Sequence, residues 1–300
     1  MLTGNARLTI KRNLYWLIVL IYALALPEAI LVYKKLTVLF KDTYIHLIPT
    51  ILSLFIGLLY LYKGLKRGNR KRLFLFFLPC LTIYFLVRWI EPYPNKQIHV
   101  PEYILMAWIV FYAVSVDYEG RGLLILVFIL SSLLGCVDEI IQGIHPARFY
   151  GWKDIVVNTL SVSIGVLMIL GFYGSSGGNW NWFTRLKNEK VIFYPTLSGF
   201  LAAGFTLYYL FQLKNSGSNF STYPLWLTSL NCFYIVYSLI LLPTRANRSS
   251  PFHESPGTIS RGKSQVSRKT TCLWVYGITL PLVIIHTLAL YIRLTHSPFK

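Results

Sequence analysis

Apolar residues along this chain fall in blocks of about twenty, divided by short polar or basic stretches. That length is what a helix needs to cross a hydrocarbon core about 30 Å thick. Backbone polar groups cannot stay unpaired in lipid, so each block is predicted to be a helix. A membrane β-barrel would need alternating polar and apolar positions, and no such alternation occurs. The pattern predicts an all-α, polytopic transmembrane helical bundle of about nine spans. They fall near 14–33, 45–62, 73–90, 101–116, 123–142, 155–173, 191–213, 223–242 and 273–292.

Composition agrees, with 55% hydrophobic residues, 13% charged residues and a mean hydropathy of +0.53. The net charge of +18 sits between apolar blocks rather than on a soluble domain, so it reads as topology and a weak attraction to lipid headgroups, not as nucleic-acid binding. About two-thirds of the 29 Lys and Arg fall in alternate connections, with the N-terminal segment among them, which predicts a cytoplasmic N-terminus. Arg7, Lys11 and Arg12 precede the first span, which is too long for a cleaved signal and reads as a retained anchor. The stretch 243–272 is expected to be a basic, flexible cytoplasmic linker, and Gly174–Gly178 a second joint. Asn219-Phe220-Ser221 fits a glycosylation sequon. Cys80, Cys136, Cys232 and Cys272 are dispersed and read as packing residues. His46 and His286 lie alone in apolar stretches and read as structural, and Trp89, Tyr93, Trp152 and Tyr223 as interfacial anchors.

The scarce acids carry the chemical signal. Of only eleven, Glu102, Asp138, Glu139 and Asp154 fall in the short stretch covering spans four to six, all near what the orientation makes the outer face. Glu28, Arg88 and Glu91 reach about the same depth. Ionisable groups at such depth are costly and mark functional sites. Pro101 suits a first helical turn, so span four is expected to begin there, with Glu102 and Tyr103 in that turn and His99 folding back over it. Asp138, Glu139 and Gln142 share a helix face by their spacing of three and four. Asp154 is expected to cap the sixth span, with Asn158 one turn on. The connecting loop adds His145 and Arg148.

The series Lys96, His99, Glu102-Tyr103, Asp138-Glu139, Gln142, Arg148, Asp154, Asn158 and Gly165 resembles the VanZ-like family over roughly residues 96–170. The loop reads His-Pro-Ala-Arg where the family often has Pro-Gly-Arg, and Asn158 is not closely followed by Gly. The resemblance implies a cell-envelope setting in a bacterial cytoplasmic membrane, and implies no particular reaction. It divides the chain into N-terminal helices (1–95), a VanZ-like core (96–173) and C-terminal helices (174–300).

Three readings follow. In the first, the polar groups form a pocket that binds or modifies a lipid-linked envelope precursor or a glycopeptide at the outer leaflet. Lys96, His99 and Arg148 would hold a phosphate, and Tyr103, Gln142 and Asn158 would complete the binding surface. Glu102, Asp138, Glu139 and Asp154 would serve as general acid and base, or would orient a divalent cation. In the second, the same groups are interhelical hydrogen bonds without catalysis. In the third the chain is a small-solute transporter, though no inverted repeat or pair of broken helices is visible. Signatures of metalloproteases, P-loop NTPases and serine hydrolases are missing from the sequence.

Overall fold

A computed structural model describes residues 4–39, 47–67, 70–118, 121–173, 190–217, 220–248 and 261–300. Among these residues all regular secondary structure is helical, without strands. The helices are α1 (Gly4–Leu39), α2 (Ile48–Lys66), α3 (Arg70–Ile90), the short α4 (Pro94–Gln97), α5 (His99–Ser115), α6 (Arg121–Ile144), α7 (Trp152–Tyr173), α8 (Lys190–Asn215), α9 (Leu225–Arg248) and α10 (Arg261–Thr295). A 3-10 turn, Phe220–Thr222, precedes α9.

Eight of these helical stretches, counted among the described residues, are long and apolar enough to cross a membrane. The apolar part of α9, Leu225–Ile240, is shorter than the 223–242 span expected. Large apolar side chains stay exposed on α1 to α3, including Leu24, Leu54 and Leu75, each more than 60% exposed. A soluble protein would bury such continuous surface, whereas lipid solvates it. The chain is a multi-pass integral membrane protein.

Two compact units make up the chain: residues 1–139 with 151–178, and residues 140–150 with 179–300. This division does not coincide with the three segments read from the sequence, because α1 to α3 pack in the same unit as α5 and α7. In the first unit α5 and α7 form the central pair; α3 lies on α7, α1 on α5, and α2 touches α3, α5 and α7. Gly165 explains how close the central pair comes. A Cβ there would lie 2.8 Å from Ala107 Cβ and 3.0 Å from the Ile104 carbonyl oxygen. Small residues at a crossing let backbones approach, which matters where lipid offers no hydrophobic drive between helices. Tyr60, Leu73, Cys80, Val87, Val100, Ile104, Val157, Ile164 and Met168 fill the space between these helices.

The second unit is built on α8, α9 and α10, each packed on the other two. Its 140–150 segment is held by Phe299 and Lys300. The Lys300 N–H donates to the Gly143 carbonyl at 3.0 Å, the Tyr150 N–H donates to the Lys300 carbonyl, and the Phe299 and Tyr150 rings lie 5.2 Å apart.

The 243–272 linker is narrower than its composition suggests. Helix α9 continues to Arg248 and α10 begins at Arg261, because Arg, Lys and Gln are good helix formers even without apolar neighbours. The Gly174–Gly178 joint, Asn219 of the sequon and His46 lie outside the described residues.

Candidate functional site

Three helix ends of the first unit bring the polar residues together. Helix α5 begins at His99, with Ile98 before it and Pro101 in its first turn, where a missing N–H costs nothing. His99 therefore stands at the first helical position, and its Nδ1 meets Glu102 Oε2 three residues on, at 3.1 Å. Next on α5, the Tyr103 hydroxyl donates to Asp138 Oδ2 of α6 at 2.8 Å, and the ring is fully buried. Gly135 makes room for this contact. A Cβ there would lie 3.1 Å from Tyr103 Cε1 and 3.3 Å from Asn158 Cβ.

Glu139 is bound from α7 and its entry. Asn158 Nδ2 donates to Oε1, and the Gly151 N–H donates to Oε2, both at 3.3 Å. Asp154 Oδ2 takes the Lys96 ammonium at 2.5 Å, joining α4 to α7. Asp154 is not the cap of α7, as the spacing suggested. The helix starts at Trp152, so Asp154 sits inside its first turn, and its carboxylate lies over Gly151, where a Cβ would collide with Oδ2. Glycine admits that approach, and a carboxylate in a first turn also meets the positive end of the helix dipole.

His99, Tyr103, Asp138, Glu139, Asp154 and Asn158 are all buried, with Glu102 half-buried. The Lys96 side chain, 34% exposed, is where the cluster meets the surface. Four acids thus face one lysine and one histidine side chain. Gln142 and Arg148 belong to the second unit, where the Arg148 guanidinium donates to the Gln142 side-chain oxygen and both are buried. The three cations expected to hold a phosphate are thus each engaged within the protein: Lys96 by Asp154, His99 by Glu102, Arg148 by Gln142. Among the described residues no three His, Cys, Asp or Glu side chains are grouped to hold a metal ion, so the divalent-cation reading finds no ligand set there.

Of the more distant charges, Glu91 is buried, Glu28 is exposed, and exposed Arg88 reaches Thr50 Oγ1 at 3.4 Å. Spacing along the chain carries no sign of Gly135 or Gly151, since their role is to leave space. Nor does it point to Tyr22, whose hydroxyl donates to the Glu102 backbone carbonyl at 2.9 Å.

The second unit holds a polar chain that the sequence also hides. His286 is not alone: its Nδ1 lies 3.0 Å from Asn231 Oδ1, which also accepts from Thr206 at 3.2 Å. Asn231 Nδ2 donates to the Tyr223 hydroxyl at 2.7 Å. Tyr223 is therefore buried within the unit rather than an interfacial anchor, since a buried amide demands a partner. Trp89, Tyr93 and Trp152 are exposed, as an anchor must be.

Fold and site define a class, a multi-pass helical membrane protein with a buried, acid-rich cluster at one end of three helices. Comparisons with models of protein families, with curated proteins and with solved structures each return no match, so function is read from the chain's own residues.

Proposed function

We propose that the cluster of Lys96, His99, Glu102, Tyr103, Asp138, Glu139, Asp154 and Asn158 is a binding site at the outer leaflet for a lipid-linked or envelope molecule, in a bacterial cytoplasmic membrane. The observation that carries this reading is the gathering of four acids, three of them buried and Glu102 half-buried, at one level of three helices, reached from the surface at Lys96. Burying so many ionisable groups is unfavourable, and a purely structural bundle has less costly ways to join helices. The order of polar residues from Lys96 to Gly165 supports an envelope role through its resemblance to VanZ-like proteins. Arg148 and Gln142, adjacent in the chain to this set, are assigned to the same function on that resemblance.

The VanZ-like family is named for a protein associated with teicoplanin resistance, so the test is a teicoplanin-susceptibility assay in a bacterial host expressing the chain, with membrane levels measured in parallel. Asp138→Asn, Glu139→Gln and Arg148→Ala are each expected to abolish the phenotype at unchanged membrane level. Retention by all three sinks the site reading. A second reading, polar groups as helix-to-helix ties, draws on the Tyr103–Asp138 and Asn158–Glu139 bonds. Such bonds are worth about 0.6 kcal/mol each in a membrane. Under it the same substitutions lower the amount of folded protein rather than its specific effect.

A further inference from the structure

The hydrogen-bonding capacity left over in this cluster says what kind of group it takes. Lys96 is held on Asp154 Oδ2 and His99 on Glu102, while Tyr103, Asn158 and the Gly151 N–H supply donors to Asp138 and Glu139. Two buried oxygens of α7 remain without a hydrogen-bond partner among the described residues: Asp154 Oδ1 and Asn158 Oδ1. Both residues are deeply buried, at 3% and 1% exposure. The Asn158 amide turns its nitrogen to Glu139, donating to Oε1, and its oxygen is the unused end. Four residues apart on α7, Asp154 and Asn158 share one face, one turn from each other. What stands open in the site is a pair of acceptors.

An anion has nothing to gain at two acceptor oxygens, and a phosphate would bring its charge beside four acids. An ammonium fits. The protein already shows the contact, since the Lys96 side chain is itself a primary ammonium seated on Asp154 from the partly exposed edge. Resting on the reading of the cluster as a binding site, we infer that it takes a protonated amine, whose N–H groups donate to Asp154 Oδ1 and Asn158 Oδ1 and which competes with the Lys96 ammonium for Asp154. The amine can belong to a membrane amphiphile or to a free solute, and the chemistry at the two oxygens is the same.

The experiment uses the full chain in phosphatidylcholine nanodiscs, whose quaternary ammonium has no N–H to donate. Dodecylammonium, butylammonium and dodecyl phosphate are titrated, with empty nanodiscs as the reference for partitioning. Dodecylammonium is expected to bind saturably, and Asp154→Asn to weaken it by about tenfold, the loss of one charge-assisted contact. Lys96→Met is expected to tighten amine binding, because the ammonium that competes for Asp154 is gone. Competition by butylammonium assigns the site to free amines, and its failure to compete assigns it to membrane-borne ones; both support the inference. Saturable dodecyl phosphate binding that Lys96→Met abolishes overturns it and leaves the binding-site reading standing. Absence of saturable binding by any probe overturns both. Should Asp154→Asn fail to accumulate, Lys96→Met still decides, since amine and phosphate demand opposite effects of it.

Discussion

At Gly135 a hydrogen atom in place of a side chain leaves room for two side chains of the cluster. Tyr103 and Asn158 both close on that position, one from α5 and one from α7, and each then reaches an acid of α6. Gly135→Val is expected to push Tyr103 away from Asp138 and to cost about 1–3 kcal/mol, the usual range for overpacking. Thermal unfolding in detergent measures it; an unchanged melting temperature would show that the neighbours yield freely. Asn231 plays the corresponding part in the second unit, where it serves Thr206, Tyr223 and His286 at once. Asn231→Leu deprives three groups of a partner and is expected to lower stability by about 1–3 kcal/mol, with Thr206→Val costing less than Asn231→Leu. Equal costs for the two variants would contradict the idea of Asn231 as the hub.

Among the elements, the α5–α7 crossing matters most, because Tyr103, Asp154 and Asn158 are positioned by it. Gly165 approaches the Ile104 carbonyl, a backbone atom that cannot rotate away as a side chain can. Gly165→Leu is expected to separate the two helices and to remove ligand binding at the cluster together with stability. Gly57→Ala, where a Cβ would meet nothing within 4 Å, is expected to leave ligand binding unchanged and not to lower stability. Retained binding in Gly165→Leu would detach the cluster from this crossing. The second unit has its own tie. The Phe299 ring lies against Gly143 and Tyr150, and the Lys214 ammonium and the Lys300 N–H both bond carbonyls of the 143–150 stretch. Phe299→Ala removes a fully buried aromatic ring and is expected to cost about 3 kcal/mol. Faster hydrogen exchange across 143–150 would report the loosened tie, and unchanged exchange there would rule it out.

For the whole molecule we propose an orientation. The excess of Lys and Arg in alternate connections argues for a cytoplasmic N-terminus, which sets the connection between α6 and α7 on the opposite side. Lys153 is exposed in that region, beside Asp154. Lys153→Cys is expected to react with a membrane-impermeant maleimide in intact cells, against a background set by the native cysteines. Reaction only after permeabilisation would invert the topology and move the acid cluster to the cytoplasmic leaflet.

The amino-acid sequence by itself determined the helices and the membrane. Blocks of apolar residues as long as a bilayer is thick leave no other backbone solution, and each of the nine blocks corresponds to a helix, though Leu225–Ile240 is shorter than expected. It also marked the acids, because Glu102, Asp138, Glu139 and Asp154 stand out against so apolar a background. Periodicity along one helix shows which residues share a face, but not which face meets which. Only the tertiary structure paired Tyr103 with Asp138, Asn158 with Glu139 and Lys96 with Asp154, and only it brought His286 to Asn231 from residues 55 apart in the chain. Those partners are chosen by helix crossings that depend on missing side chains, at Gly135, Gly151 and Gly165, and empty space leaves little trace in a pattern of polar and apolar letters.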